Sequence, residues 1–344
     1  MDKDISDRQE SLLALIIHEY VANAQPIGSE SLVNEYSLGI SSATVRNEMS
    51  SLTEAGMLRQ PHTSAGRIPT EEGYRYFVRR LMGETELPPE EKRQISHQFH
   101  QARAQVDEWL QLAAAILASH SKVASLVTSP HPERAVFKHL ELIATHARQV
   151  LMVLVLEGGE VRQQILTLAE SVDQGRLSEV AGMVTTACQG KNAAQVINLA
   201  KGFEGLAGDI LLLLADVMQR SDAAAAGEIY RDGLANVVMQ PEFSDSDSLR
   251  QAIRLLDERS FLEEVLAKAL TPSVEGVQVV IGGEGAWEDL KDISMVLARY
   301  GAPGFATGAV AVLGPTRMAY GRTISAVRYV AGLMSDMVIE AFSG

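Results

Sequence analysis

Residues 40–70 hold a capped amphipathic helix followed by a loop, and this order constrains the fold more than any other stretch. Ser41 and Ser42 are the kind of side chain that caps a helix N-terminus by accepting a hydrogen bond from an unpaired backbone N–H. Apolar residues then recur at helical spacing: Val45, Met49 and Leu52. We therefore predict a helix from about Ser42 that packs through one face and leaves the other face exposed.

The opposite face of this helix carries short or hydrogen-bonding side chains: Ala43, Arg46, Asn47 and Ser50. Arginine can donate two hydrogen bonds to guanine O6 and N7, asparagine can pair in the same way with adenine, and small residues let a helix approach base edges. The pattern is typical of a helix that reads the major groove of DNA. The alternative is an ordinary surface helix.

Gly56 ends the helix, because glycine can adopt the positive φ of a C-terminal cap. Two short strands should follow at residues 58–60 and 68–70, joined by a loop with Arg67 at its tip. We interpret this loop as a wing beside the helix, the alternative being an ordinary surface hairpin. Together the helix and the wing give the predicted DNA-contacting residues: Ser41, Ser42, Ala43, Thr44, Arg46, Asn47, Ser50, His62, Thr63, Ser64 and Arg67.

Two further helices are predicted ahead of this one. Ser6 and Gln9 match the S-x-x-Q capping box, and apolar residues follow at helical spacing as far as Val21. The sequence Pro-Ile-Gly at 26–28 breaks the chain, and residues 29–36 form a short second helix. Helix, short helix, turn, exposed-face helix and wing predict a winged helix-turn-helix DNA-binding domain in residues 1–83.

Two signatures resemble those of a known protein family. The run SSATVRNEMSSLTEAGMLRQPHTSAGRIPTEEGYRYFV at 41–78 is similar to the N-terminal signature of the HrcA family, the heat-inducible transcription repressors of bacteria. Residues 308–320, with Thr323–Ser325 and Tyr329–Val330, resemble the second signature of that family. Because the two signatures lie at opposite ends, the resemblance spans essentially the whole chain.

The resemblance implies both a fold and a function. The fold would be α+β and multidomain: an N-terminal winged helix-turn-helix, then a GAF-like α/β domain with an inserted dimerisation domain. The function would be repression of heat-shock chaperone operons by a homodimer that binds double-stranded DNA at the CIRCE inverted repeat. The GroEL chaperonin would modulate this activity by keeping the repressor active.

The net charge of −14 is unusual for a DNA-binding protein, because phosphate contacts from Lys and Arg supply most nonspecific affinity. Residues 40–82 contain six arginines and four glutamates, a balance of +2, so the remainder carries −16. An acidic remainder repels DNA except where the reading helix meets it. We therefore expect modest nonspecific affinity that falls steeply with salt.

Composition also bounds the compartment. The longest apolar run, residues 150–156, is far shorter than the ~20 residues that span a bilayer, and the opening MDKDISD contains no apolar signal region. Cys188 is the single cysteine, which excludes an intrachain disulfide and a cysteine-rich zinc site, and we interpret it as a small buried residue. We expect a cytoplasmic protein that makes no membrane contact.

The stretch after the wing should connect the DNA-binding domain to the rest of the chain. Residues 71–82 have helical composition and three cations that could meet phosphates or solvent: Arg75, Arg79 and Arg80. The polar, proline-containing stretch Gly83–Pro89 predicts a domain boundary. Residues 90–120 should be a helical connection with an interrupted apolar stripe.

The hydrophobic period changes to two in residues 135–168, which predicts a β-meander whose middle strand, 149–156, is buried on both faces. Helical segments follow at Leu177–Cys188, Phe203–Arg220 and Leu249–Leu270, and strands return at Val277–Ile281 and Gly308–Leu313. We therefore expect residues 84–120 to be a linker and connecting helix, residues 121–171 and 241–344 to be the GAF-like domain, and residues 172–240 to be the inserted dimerisation domain.

Motifs for catalysis are absent from the sequence. No P-loop, dinucleotide fingerprint, nucleophile elbow or H-E-x-x-H motif occurs, so we predict a regulator rather than an enzyme, with no cofactor. His97 and His100 share one side of a predicted helix, but no third ligand with recognisable spacing is near. We therefore expect no metal site.

A second hypothesis stays open, because GAF-like folds often bind small molecules. Glycine-rich residues 282–287 and 304–308 would line a pocket, and its ligand would control DNA binding; the alternative is that these glycines serve turns. Near the second signature, Thr316 would cap the final helix and Arg317 would meet a carboxylate.

Overall fold

The computed structural model describes residues 5–63, 65–83, 85–102, 105–131, 135–157, 159–223, 228–243, 246–258, 262, 266, 276–283, 287, 290–302 and 306–342 of the chain. The chain forms two compact units. The first contains Met1–Thr128, Ile229–Arg299 and Ala309–Met334, and the second contains Ser129–Glu228, Tyr300–Gly308 and Ser335–Gly344. Helices and antiparallel sheets make up both units, which confirms the predicted α+β class.

The first unit begins with residues 7–81, which we call the head. Its elements are α1 Asp7–Asn23, α2 Ser29–Glu35, α3 Ser42–Glu54, β1 Leu58–Arg59, β2 Ile68–Pro69 and α4 Glu71–Tyr76, which continues as a π-helical turn over Phe77–Leu81. The predicted capping box starts α1, because Ser6 Oγ accepts a hydrogen bond from Gln9 N and Gln9 Oε1 accepts one from Ser6 N. Four residues of α1 are buried and anchor it to the head: Leu12, Leu13, Ile16 and Ile17.

The helical connection after the head consists of two helices, α5 Pro89–Gln101 and α6 Val106–Ser121. Proline in the first turn of α5 is well tolerated, because that position has no intrahelical N–H bond to lose. The predicted boundary before α5 does not separate the compact units. Leu87 is buried, and Thr85 O accepts a hydrogen bond of 2.5 Å from Ser325 Oγ, so this stretch is packed into the first unit.

A five-stranded sheet follows, in the spatial order β7-β3-β10-β9-β8. Its strands are β3 Ala124–Thr128, β7 Ile229–Asp232, β8 Val277–Ile281, β9 Ile293–Ala302 and β10 Ala306–Pro315. Helix α6 packs against β3 and β7, and every residue of the central strand β10 is buried, which accounts for its apolar sequence. Further helices are α10 Leu234–Val238, α11 Ser246–Asp257 and α12 Tyr320–Phe342.

The sequence analysis misses three strands of this sheet, β3, β7 and β9. The first two are short, and the third contains Ser, Arg and Tyr between its apolar residues. The predicted helix Leu249–Leu270 is described in part: α11 covers its beginning, and most residues after 258 lie outside the described ranges. The final helix begins at Tyr320, so Thr316 does not cap it, and the Thr316 hydroxyl is buried without a partner.

The predicted meander forms the sheet of the second unit, with β4 Phe137–His146, β5 Gln149–Leu156 and β6 Val161–Thr167 in antiparallel register. The helices α7 Gln174–Cys188, α8 Ala193–Ala200 and α9 Gly205–Ala223 complete this unit. One face of the sheet and the inner faces of these helices share a single apolar core. Cys188 is fully buried in that core, as predicted, and burial raises the pKa of its thiol.

The expectation that the middle strand is buried on both faces is wrong. Along β5 the residues Val150, Met152, Leu154 and Leu156 are buried, whereas the alternating residues Leu151, Val153 and Val155 are only half-buried. Helices cover one face of the sheet, so alternate side chains stay partly exposed even though residues 150–156 are all apolar.

The compact units divide the chain differently from the predicted ranges. The meander lies in a sheet of its own, whereas the late strands β8, β9 and β10 share the other sheet with β3 and β7, and β10 pairs directly with β3. The physical reason is burial: the inner face of the meander is covered by α7, α8 and α9, so the strands and the helices after them form one core.

Candidate nucleic-acid interface

Helix α3 is fixed in the head by its apolar face. Val45, Met49 and Leu52 are buried, and Ser41 caps the helix by accepting a hydrogen bond of 3.2 Å from Thr44 N. Gly56 has φ of 81° just beyond the helix, as predicted for a C-terminal stop. The predicted two-sided helix is therefore confirmed, and its apolar side determines which residues face outward.

The predicted residues Ala43, Arg46 and Asn47 are exposed on the outward side of α3. Among the other predicted residues, Ser41 is exposed, whereas Ser42, Thr44 and Ser50 are half-buried. The Ser50 hydroxyl donates a hydrogen bond of 3.1 Å to the Arg46 carbonyl, so it belongs to the helix surface rather than projecting beyond it. The Arg46 guanidinium and the Asn47 amide are therefore neighbours on this surface, and Ala43 beside them is small enough to let another molecule approach the helix closely.

Two side chains of α1 contact α3 through Glu48. Glu48 accepts hydrogen bonds from Arg8 Nη1 at 3.3 Å and Gln9 Nε2 at 3.0 Å. These bonds join α1 to α3 at the position next to Asn47 in the sequence. The sequence analysis misses this contact, because nothing in the local pattern pairs positions 9 and 48.

The wing loop is preshaped by one glutamine. Strands β1 and β2 pair antiparallel, and Gln60 Nε2 donates to Thr63 O at 3.0 Å and to Ala65 O at 2.9 Å. His62 and Thr63 are exposed on the loop, whereas the predicted residue Ser64 lies outside the described residues. The predicted strand-loop-strand is confirmed, with Gln60 as a positioning residue that the sequence analysis does not identify.

The prediction that Arg67 forms the tip of the loop is wrong. Its backbone pairs with Ile27 through hydrogen bonds of 2.9 and 2.8 Å, and its Nε donates to Thr53 Oγ1 at 3.1 Å. Gly66 is required beside it, because a Cβ there would lie 2.2 Å from Ile27 O. The chain must therefore pass close to residue 27, which places Arg67 at the base of the loop, half-buried against α3.

A groove of about 450 Å³ lies between the start of α2, helix α3 and the wing loop. Its wall contains the cations Arg46 and Arg67 together with the amide of Gln60 and the carboxylate of Glu30. Seven of the predicted DNA-contacting residues belong to α3 or its cap, and one of them, Arg46, lines this groove. On the wing side, Thr63 and Arg67 line it, whereas His62 is exposed outside it. The structure thus brings Arg46, Thr63 and Arg67 together around one groove of the head.

The arginines of α4 do not behave alike. Arg75, predicted to be available to phosphates or solvent, is only 14% exposed. It donates to Ile281 O at 3.3 Å, to Gly282 O at 2.9 Å and to the Glu72 carboxylate at 3.2 Å. That prediction is wrong for Arg75, because a segment 206 residues later covers it, whereas Arg79 is exposed.

The glycines of the hypothetical ligand pocket serve close packing where they are described. A Cβ on Gly282 would lie 1.8 Å from Leu290 O, and one on Gly308 would lie 2.5 Å from the Tyr300 ring. Residues 284–286 and 304–305 of that pocket lie outside the described ranges. Arg317 meets a carboxylate as predicted, because its Nε donates to Glu242 Oε1 at 2.5 Å.

Within the described ranges, no helix is both long and apolar enough to cross a membrane. The described residues also contain no cluster of three or more His, Cys, Asp or Glu side chains arranged to hold a metal ion.

Sequence relatives define the class of protein. The chain is 44% identical to the heat-inducible transcription repressor HrcA of Roseiflexus castenholzii, over 99% of this chain and 97% of that protein. It is 41% identical to the repressor of the same name from Herpetosiphon aurantiacus, over 99% and 98% of the two chains. Proteins of this class are regulators of transcription.

The particular family follows from a second comparison, in which the model of the HrcA protein C terminal domain matches residues 107–324. The chain belongs to the HrcA family of heat-inducible transcription repressors. A solved structure described as "a hypothetical protein at 2.2 A resolution" is 21% identical, with a TM-score of 0.57 over 98% of each chain, and therefore shares the fold.

Proposed function

We propose that this protein represses heat-shock chaperone operons by binding, as a homodimer, to the CIRCE inverted repeat in double-stranded DNA. The observation that carries the proposal is the outward face of α3, where Arg46 and Asn47 are exposed beside Ala43 while the opposite face is buried. Membership of a family of transcription repressors supports it.

The head has the element order of a winged helix-turn-helix domain, which we assign to residues 1–83. Helices α1 and α2 support α3, and the β1–β2 loop lies beside α3. In this class the third helix enters the major groove, and its first turns meet base edges. Ala43, Arg46 and Asn47 lie in the first two turns of α3, where that geometry requires the reading side chains.

Within the reading helix, Arg46 and Asn47 would select bases and the remaining residues would set register. Arginine recognises guanine and asparagine recognises adenine through paired hydrogen bonds. Ser41, Ser42, Thr44 and Ser50 have hydroxyls that can bond phosphates, as can His62, Thr63 and Ser64 on the wing. Arg67 supplies positive charge at the base of the wing and holds the wing against Thr53.

The second unit has a surface suited to binding a second copy of the chain. The face of its sheet that the helices leave open contains apolar side chains, and Ile143, Leu151 and Ile165 lie opposite one another across the three strands. Ile165 is 65% exposed and Val161 is 52% exposed. Contiguous apolar surface of this kind marks association sites, so we assign the second unit as the inserted dimerisation domain.

Size measurement in solution tests the dimer. Replacing Ile165 by Asp places a charge in the proposed contact, so the protein should sediment as a monomer. Met239→Asp is the matched control, because Met239 is 84% exposed and lies in the first unit. The dimer assignment would be wrong if the parent chain sediments as a monomer at micromolar concentration.

The GroEL chaperonin would modulate repression by keeping the repressor folded. Proteins of this size are stabilised by only about 5–15 kcal/mol, so heat raises the unfolded fraction, and a chaperonin occupied by other unfolded proteins would return less repressor to its DNA-binding form. Adding chaperonin and ATP to heated repressor should restore operator binding. Recovery at the same rate without the chaperonin would contradict this part of the proposal.

Gel-shift titration tests the central activity. The CIRCE duplex should bind more tightly than a scrambled duplex of equal length and composition, by a factor of roughly 10³ or more. Binding to the scrambled duplex should fall steeply with salt, because phosphate contacts and counterion release dominate it. Equal affinity for the two duplexes would overturn the proposal.

A further inference from the structure

Arg317 joins the head to the remainder of the first unit. Its guanidinium donates to Glu242 Oε1 at 2.5 Å, to Gln240 Oε1 at 2.9 Å and to the Val21 carbonyl of α1 at 2.9 Å. The Arg317 side chain is 13% exposed and the Glu242 side chain is 20% exposed. A guanidinium that binds three acceptors in a mostly buried site has one geometry that satisfies all of them. The contact therefore fixes both the direction of α1 and its distance from Arg317.

The bond to Val21 also completes the end of α1. Carbonyls in the last turn of a helix have no intrahelical donor, and that end carries partial negative charge. The last turn of α1 contains no basic residue of its own. Arg317 provides a donor and a positive charge to this end from 296 residues away, so its contact adds to the stability of α1.

Arg75 makes the reciprocal contact from the head. It donates to the carbonyls of Ile281 and Gly282, at the end of strand β8, and is held in place by Glu72. Between the arginines lies a ring contact in which the centroids of Tyr74 and Tyr320 are 5.9 Å apart. Both tyrosines are buried, and burial raises the pKa of both phenols, so both rings stay neutral.

We propose that Arg75 and Arg317 are positioning residues that fix the orientation of the head on the rest of the first unit, and that this restriction narrows which spacing between two DNA half-sites the dimer accepts. This inference rests on the proposed function, since it concerns how two heads reach one inverted repeat. We call the two arginines with Glu242 the clasp. The clasp contacts no DNA in this proposal; it acts through the direction in which α3 points.

The physical argument is one of effective concentration. When one head is bound, the other meets its half-site at a local concentration that depends on how its position is restricted. A head held by the clasp samples few orientations, so the second contact is strong at one spacing and weak at others. A head released from the clasp samples many orientations, which weakens the best spacing and broadens the tolerance.

Two conservative variants test this inference, Arg317→Lys and Arg75→Lys. Lysine keeps the charge but lacks the fork of donors that reaches several acceptors at once. Glu242→Gln is a third variant, which keeps shape and removes the carboxylate charge opposite Arg317. The matched control is Arg322→Lys. Arg322 lies near the start of the same helix as Tyr320, is 53% exposed and pairs with Glu91.

The probes are CIRCE duplexes whose half-sites are moved apart in single-base steps over about one helical turn, roughly 10 base pairs, together with one isolated half-site. For the clasp variants we expect affinity at the best spacing to fall roughly tenfold and the spacing profile to flatten. Affinity for the isolated half-site should stay within about twofold of the parent, because α3 is unchanged. Arg322→Lys should reproduce the parent profile.

Each outcome decides a separate question. Clasp variants that are folded by circular dichroism and keep the parent spacing profile would overturn the inference. If Arg317→Lys does not fold, the spacing profiles of Arg75→Lys and Glu242→Gln decide whether the inference holds. Arg75→Lys weakens the contact from the head, and Glu242→Gln weakens it from the remainder of the first unit. Failure of the parent chain to prefer CIRCE over a scrambled duplex would overturn the proposed function and, with it, the inference that rests on it.

Discussion

Helices α3 and α4 look alike in the sequence but have different surroundings. Each is capped by a hydroxyl, Ser41 for α3 and Thr70 for α4, and each has a buried apolar face and an arginine on its polar face. Arg46 of α3 is exposed, whereas Arg75 of α4 is 14% exposed and bonded to two carbonyls. The first is open to solvent, and the second is bonded to a distant segment of the first unit.

A local pattern therefore identifies which face of a helix is polar, but not what covers that face. The carbonyls that cover Arg75 come from residues 281 and 282, so nothing near α4 reveals them. Arginine on a helix is therefore weak evidence for DNA contact until the rest of the chain is placed. The predictions below test this contrast.

The largest effect should come from the apolar face that anchors α3. Leu52 is fully buried, so Leu52→Ala should lower the free energy of unfolding by about 2–5 kcal/mol through lost burial and the cavity left behind. Urea denaturation followed by circular dichroism measures it. Ser51→Ala, on the exposed side of the same helix, is the matched control and should change stability by less than about 0.5 kcal/mol.

The next largest effect is a difference in the free energy of unfolding between Arg75→Ala and Arg46→Ala. Arg75→Ala leaves the carbonyls of Ile281 and Gly282 without their donor, so it should lower the free energy of unfolding by about 1–3 kcal/mol. Arg46→Ala should leave stability within about 0.5 kcal/mol, because the side chain is exposed. Equal losses in thermal denaturation would remove the contrast between the helices.

A smaller effect is expected at the cap of α3. Ser41→Ala removes the acceptor of Thr44 N and should cost about 1 kcal/mol in DNA-free protein. Ser41→Asp keeps an acceptor there and should preserve most of that stability. If both variants unfold at the urea concentration of the parent, the cap does not stabilise α3.

The smallest effect should come from the Arg8–Glu48 ion pair. Arg8 is 59% exposed, and exposed pairs of this kind contribute at most about 1 kcal/mol and less at high salt. Arg8→Ala should therefore shift the urea midpoint slightly in low salt and not detectably in 1 M salt, a concentration at which the screening length is roughly 3 Å. A larger shift that persists in high salt would mean that Arg8 makes more than a surface contact.

Local sequence predicts the head well, because its elements depend on short-range chemistry. The capping box at Ser6, the cap at Ser41 and the positive φ of Gly56 each act within a few residues, and all three are confirmed. The exposed face of α3 follows from the spacing of its buried residues. For the same reason the meander is predicted as a set of strands and turns.

Long-range packing is where the sequence falls short. The period of β5 cannot show that helices α7, α8 and α9 cover only one of its faces. The sequence of the wing cannot show that Ile27 pairs with Arg67, which places that arginine at the base of the loop. In both places the deciding partner lies far along the chain, so no local pattern carries the information.

The specificity of Arg46→Ala shows whether α3 reads bases. The change should weaken binding to the CIRCE duplex by about 1–3 kcal/mol and relax sequence preference, while binding to a scrambled duplex changes little. Arg79→Ala, an exposed arginine on the same head, should not change the ratio of the two affinities. If Arg46→Ala weakens binding to both duplexes equally, α3 does not read bases through Arg46, and the central claim is contradicted.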